Sequence, residues 1–284
     1  METPNIPIEQ PNKPQNEPRG LVPIPERGTP ALLEHVWANT CDARLLHFVS
    51  DVVMRGDYVA HLAHLALQGE KKESDLTPES LAKTKPGPAT RALRRSGQEL
   101  LEMFLSRAVD SFEIYLVSLI RSVLTKEPRI LSDRKQELSL GHILKFDSIE
   151  ALARDMIEGK LNALSYEGFG ELENWCQQRS IPLLVPHGQR DRVVELIALR
   201  NIIVHNRGCV DERYRAAVPT SSLEIGEKRA LDVEDLFSAL DLLSSVVTIT
   251  DAAVSGKFRL ECVEVRNEVN KRGCARWNTE DAQP

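Results

Sequence analysis

The chain is predicted to be all-α with a bundle core, on three observations. Apolar residues recur at three- and four-residue spacing along most of its length. Serine or aspartate precedes several of these runs, where a helix needs a side-chain acceptor, and glycine or proline follows them. Only the stretch from Tyr214 to Ala230 reads as irregular or hairpin-like. No internal repeat is visible.

Taken in order, residues 1–30 hold eight prolines and few large apolar groups, the composition of a disordered or extended tail. Residues 31–68 turn helical, with Ala31-Leu32-Leu33, Val36-Trp37, Leu45-Leu46, Phe48-Val49 and Val52-Val53 on a helical period, and Gly56-Asp57 is a predicted break. Residues 69–96 read as a polar, proline-marked linker that ends at Ser96, a candidate cap. A strong amphipathic helix follows over 97–124, carried by Leu100, Leu101, Phe104, Leu105, Ala108, Phe112, Leu116, Leu119 and Ile120, and Pro128 closes it.

Shorter helices are expected from Ser139 to Lys145, from Ser148 to Tyr166 and from Gly170 to Arg179. Ile181-Pro182 and Val185-Pro186 mark a loop. The next helix, 189–206, is apolar around much of its circumference through Val193, Val194, Ile197, Leu199, Ile202 and Ile203, which predicts a central, buried place for it. Gly208 is positioned to end it. Asp232 caps a last long helix reaching Lys257, and residues 259–284 read as an ambiguous tail with a polar end.

Composition narrows the function classes. With 284 residues, 42% hydrophobic and 27% charged, the chain has the make-up of a soluble globular protein with ample length for a core. No run of eighteen apolar residues exists, so no membrane span is expected, and the polar N-terminus does not read as a secretory signal. Five widely spaced cysteines (Cys41, Cys176, Cys209, Cys262, Cys274) without a CxxC fit free thiols in a reducing cytoplasm. A net charge of −6 argues against a general nucleic-acid coat, but six arginines stand against four carboxylates between His187 and Arg215. No glycine-rich phosphate loop, GxSxG or clustered metal ligands appear, so neither cofactor nor metal is expected.

The segment that carries chemistry is Leu199-Arg200-Asn201-Ile202-Ile203-Val204-His205-Asn206-Arg207-Gly208. Arg-x4-His is a weak signal by itself, since roughly 0.6 such pairs are expected by chance in a chain of this composition. Placement gives it weight. Asn201 and His205 are four apart, hence about 40° apart on one helix face, and the long Arg200 side chain can swing toward them. An apolar helix broken by such residues in its last turn marks a candidate site. A histidine near its ordinary pKa can move a proton to or from a ribose oxygen, an arginine can hold a phosphate bidentately, and Asn201 can orient either. One histidine per chain supplies only one proton carrier, so a homodimer that joins two such sites is the expected arrangement.

The run from Arg200 to Gly208 resembles the signature of HEPN-domain proteins, a helical superfamily of nucleotide-binding proteins and ribonucleases. Phe112-Glu113-Ile114-Tyr115-Leu116 before Pro128, Leu161-x-x-Leu164-x-Tyr166, the exit Gly208-x-Val210 with Tyr214, and the closing helix from Leu236 to Phe258 are similar too. The resemblance covers residues 97–258 and not 1–96. It implies a HEPN-like helical bundle, a homodimer and metal-independent endoribonuclease activity on RNA, in a toxin or anti-phage role with an antitoxin or defence-system partner. Catalytic roles then fall to Arg200, His205 and Asn201, and substrate contacts to Asn206 and Arg207. The alternative it leaves open is a non-catalytic module that dimerises, binds RNA and acts as a scaffold or sensor.

Plainer readings stand beside these. Arg200 and His205 can be the polar end of a capped helix, with Asn206 and Arg207 as cap residues. Arg55 and His61 fall in a relaxed version of the motif but lack its buried helix. His61 and His64 have no third ligand nearby in sequence and read as a surface pair. Glu113 is either solvated or paired with Arg200, and Arg91, Arg94 and Arg95 are either solvated or an extension of an RNA groove.

Overall fold

A computed structural model describes residues 24–68, 87–131 and 138–280. Among them are ten α-helices and no strand: α1 (Pro30–Gln68), α2 (Pro88–Arg95), α3 (Gly97–Lys126), α4 (Leu140–Ile143), α5 (Ile149–Glu167), α6 (Phe169–Gln178), α7 (Arg190–Asn206), α8 (Glu212–Ala217), α9 (Val233–Phe258) and α10 (Val265–Glu280). The all-α expectation therefore holds. Residues 1–23 of the proline-rich tail, 69–86 of the linker and 281–284 lie outside the described residues.

The centre of the bundle is α3. Its buried residues, from Phe104, Leu105, Ala108 and Val109 through Phe112, Tyr115, Leu116, Leu119 and Ile120 to Val123 and Leu124, leave little of its circumference free. α1, α5, α7 and α9 all pack on it. Only a narrow stripe through Met103, Arg107, Asp110, Ile114 and Arg121 faces water, which is why its sequence reads as the strongest apolar run. The central, buried place expected for the 189–206 helix holds except in its last turn. α7 buries Val193, Leu196, Ile197, Ala198, Leu199 and Ile202, while Val194 and Ile203 are only half-buried and its last turn faces water.

Caps set most of the boundaries as the sequence implied. The Ser139 and Ser148 side chains accept from the N–H groups of His142 and Ala151. Asp232 and Asp235 form a reciprocal capping box at the start of α9. Ser96 differs: it stands before α3 but its side chain accepts no capping hydrogen bond.

Two expectations about the first hundred residues are corrected together. α1 runs unbroken through Gly56-Asp57, and the end of the expected linker is a helix, α2. One carboxylate explains both. Asp57 accepts the Ala89 N–H at 2.9 Å and the Thr90 N–H at 2.8 Å, so it caps α2 from the middle of α1. A Cβ on Gly87 would stand 2.2 Å from that carboxylate, so only glycine fits at the approach. A hydrogen bond from the Thr90 side chain, together with these two backbone ones, holds the Asp57 carboxyl below its usual range.

The two ends of the chain meet across the core. Gly28 and Val263 exchange backbone hydrogen bonds in an isolated antiparallel bridge. Asp251 of α9, 1% exposed, accepts the Thr29 N–H at 3.0 Å and the Thr29 hydroxyl at 2.6 Å, and the Tyr115 hydroxyl lies 3.4 Å away. Residues 24–30 are therefore anchored, not part of a loose tail. The stretch after Arg259 is also resolved in kind: it forms α10, which packs on α1 and contributes Val265 and Val269 to the same core as Leu32 and Phe112. α9 is long and apolar enough to cross a membrane by length and composition, and its Leu236, Ala239, Leu243, Val246, Val247 and Val254 are buried in that core.

Against the Tyr115 ring, 5.7 Å between centroids, lies His35, also buried. The Asn39 side-chain amide donates to its Nε2 at 2.9 Å, which leaves Nδ1–H to donate to the Ser111 hydroxyl at 2.9 Å. The ring is therefore neutral, and burial pushes its pKa down to about 4. An unfolded chain binds this proton near pH 6.5, so the His35 contribution to stability is complete above that pH and is lost as pH falls toward 4. Burial raises the Asp251 carboxyl pKa, which works in the opposite direction, so the two must be separated by mutation. His35→Gln is expected to flatten the pH dependence of the melting temperature between pH 6.5 and 4, removing on the order of 3 kcal/mol of acid sensitivity. Thr29→Val keeps the shape but removes the hydroxyl from a buried carboxylate; chemical denaturation should show a loss of about 1.5–3 kcal/mol.

Candidate functional site

α7 and α3 run antiparallel, with Arg200 beside Asp110 and Gly208 beside Glu102. The apolar face of α7 is spent on α3, so residues 200, 201, 204 and 205 are left along the opposite edge. Arg200 is fixed there. Its Nε and Nη2 both reach Asp110 Oδ1 at 2.6 Å, and its Nη1 donates to Asn201 Oδ1 at 3.0 Å. The guanidinium keeps 24% of its surface exposed and Asp110 40%.

The pair belongs to a charged row across three helices. Arg107 of α3, one turn before Asp110, donates from Nε to Asp42 of α1 at 2.8 Å. Glu113, one turn after Asp110, is half-buried, and that burial raises its pKa while Arg200 opposes the shift and Asp110 adds to it. Glu113 therefore feels Arg200 electrostatically, although the contact that holds Arg200 is with Asp110. Exposed apolar side chains border the row: Met103 and Ile114 on α3, Val204 on α7.

His205 sits one turn beyond Asn201 and about 140° round the helix from Arg200, exposed, with no hydrogen bond or ion pair to any described residue. The chain then turns sharply. Arg207 takes the left-handed conformation at φ 53°, and Gly208 follows at φ 78°. Their N–H groups both return to the Ile202 carbonyl, closing the helix. The turn is left-handed already at Arg207, one residue before the glycine the sequence singled out. The Asn206 side chain donates to the Cys209 carbonyl at 2.7 Å. Asn206 and Arg207 are thus engaged in the cap, and only the Arg207 side chain is left to reach outward.

The exit is pinned from both sides. Glu102, on α3, accepts from Lys228 at 3.0 Å and Gln98 at 2.9 Å and lies against Gly208. Residues 209–228 make an excursion that overlaps the hairpin-like stretch expected at 214–230, with the short helix α8 inside it, and close through a Cys209–Lys228 bridge, the Val210 N–H donating to the Glu227 carbonyl and the Gly226 N–H to the Val210 carbonyl. The end of α7 is consequently a rigid corner.

Arg200, Asn201 and His205 therefore share one exposed edge. Sequence reasoning missed Asp110 and Glu102, the two carboxylates that position this edge. Both lie on α3, far in sequence from the motif and beside its apolar face, so no spacing within the motif pointed to them. Arg55 is paired with Asp51 at 2.8 Å, four residues back on α1. No three potential metal-ligating side chains converge among the described residues. Two surface hollows, of about 400 and 560 Å³, are lined by residues such as Tyr214 and Arg229, or Ile181 and Arg190; neither takes a wall from Arg200, Asn201 or His205.

Comparison with family models, with curated proteins and with solved structures finds no match to this chain.

A cap role and a phosphate role for Arg207 make different demands on its backbone. The left-handed region costs a non-glycine residue roughly 1 kcal/mol. Arg207→Gly is expected to raise stability by about that amount in thermal or urea denaturation, and Gly208→Ala to lower it.

Proposed function

We propose that this chain is a metal-independent endoribonuclease of the HEPN type, acting as a homodimer whose active site joins the α7 ends of two copies. The observation that carries the reading is the exposed edge itself. A histidine with no partner among the described residues stands one turn from Asn201, whose amide and the Asp110 carboxylate hold Arg200 in place, on a capped helix end. That arrangement supports a division of labour. His205 takes the 2′-hydroxyl proton in one copy and protonates the leaving 5′-oxygen in the other. Arg200, oriented by Asp110 and assisted by Asn201, stabilises the charge that grows on the phosphorus-bound oxygens. Arg207 contacts a flanking phosphate. The bond from the 2′-oxygen to phosphorus forms as the bond to the 5′-oxygen breaks, leaving a 2′,3′-cyclic phosphate and a 5′-hydroxyl. Apolar Ile114 and Val204 beside the polar row give the second copy a surface to cover.

The Arg200–Asp110 pair favours a second reading. A guanidinium already neutralised by a carboxylate attracts phosphate less strongly, which suits a module that dimerises and binds RNA or a defence partner without cutting. One set of variants separates the two. In chelator, the wild-type protein should cleave single-stranded RNA, and His205→Ala and Arg200→Ala should each lower the rate by about 100-fold or more while the dimer persists. Binding without cleavage in all three assigns the module. Cleavage that survives both substitutions, or that requires divalent metal, removes the mechanism. A toxin role adds growth arrest on expression that His205→Ala relieves.

A further inference from the structure

One face of α1 is covered for part of its length only. Over residues 34–44 it carries α10: Arg272 pairs with Glu34 at 2.7 and 3.1 Å and lies 5.9 Å above the Trp37 ring, while Gly273 packs against the Arg44 guanidinium. From residue 45 the same face continues bare of any cover from the described residues. Leu45 is 47% exposed, Phe48 63%, Val52 50% and Val59 62%, each an apolar side chain that a solitary helix would not keep toward water. The opposite face, through Asp42, Leu46, Val53 and Asp57, is the one turned to α3 and α2.

The bare residues are spaced as a seam for another helix. Positions 45, 48, 52, 55, 59 and 62 alternate intervals of three and four, the repeat that keeps one stripe facing a partner helix. Leu62, at the end of the seam, is half-buried, and Arg55 is its one charged member. That arginine decides the orientation. In a parallel pair, Arg55 would face its own copy, like charge against like charge. In an antiparallel pair, Leu45 meets Leu62, Phe48 meets Val59, and Val52 meets Arg55, whose guanidinium then reaches Asp51 of the second copy. Asp51 and Arg55 already pair at 2.8 Å within one chain, largely exposed, so the exchange leaves neither charge unpartnered. A lipid surface fits poorly, because this half of α1 offers two aspartates against a single arginine and no lysine.

We infer that α1 is a self-association element: residues 45–62 of one copy pair antiparallel with residues 45–62 of a second copy of this chain. The inference is independent of the ribonuclease reading and uses a different face from the α7 edge. Sedimentation of the full chain tests it. Phe48→Glu is expected to halve the sedimenting mass at a concentration where the wild type is associated. Asp51→Arg should weaken association by about tenfold, since two symmetric pairs are lost, and adding Arg55→Asp should restore it. The charge-swapped pair keeps the test sound if Phe48→Glu disturbs folding. Two results overturn the inference. One is a wild-type chain that sediments as a monomer at every concentration. The other is a mass that survives Phe48→Glu and the single charge reversal; if Val204→Glu abolishes that mass, the second copy belongs on α7.

Discussion

A buried carboxylate organises this bundle. Asp251 has almost no exposed surface, so it is tolerable only where donors surround it, and Thr29 and Tyr115 supply them from two other segments. Three positions more than eighty residues apart in sequence are thereby fixed to one point: the entry to α1, the middle of α3 and the third turn from the end of α9. The Gly28–Val263 bridge extends the same junction to α10. Apolar packing alone tolerates sliding of helices along one another. A shared carboxylate does not, because a shift of a few ångströms leaves a buried charge without its donors.

The candidate site inherits that rigidity through α3. Asp110 sits one residue before Ser111, which accepts from His35, and five before Tyr115, which reaches Asp251. The carboxylate that holds Arg200 is thus set on the most constrained stretch of the most enclosed helix. Glu102, two turns earlier on α3, fixes the glycine exit. Both ends of the exposed edge on α7 therefore take their position from one neighbour, α3.

The sequence made the helices legible because periodicity and caps are local: Ser148, Asp232 and Pro128 mark their boundaries within a residue or two. It failed where a residue acts at a distance. Gly56-Asp57 has the composition of a break, but Asp57 serves the start of α2 thirty-two residues on, and no local rule contains that information. The exposure of the last turn of α7 was missed for a related reason. α7 is apolar on many sides, yet its last turns form an edge, whereas α3 hides its polar Ser111 and Tyr115 in partnerships made by α1 and α9. The motif residues Arg200, Asn201 and His205 were legible as a group because one helix carries them; the carboxylates that orient them came from another.

The cap that Asp57 supplies has a consequence for the chain between α1 and α2. Residues 68 and 87 mark the two ends of that connection, and the carboxylate binds the far end to a helix already seated in the bundle. What lies between them does not have to set the direction in which α3 begins. Its length and composition are therefore free to drift between related chains, and a protease that cuts it leaves two fragments clasped as one molecule.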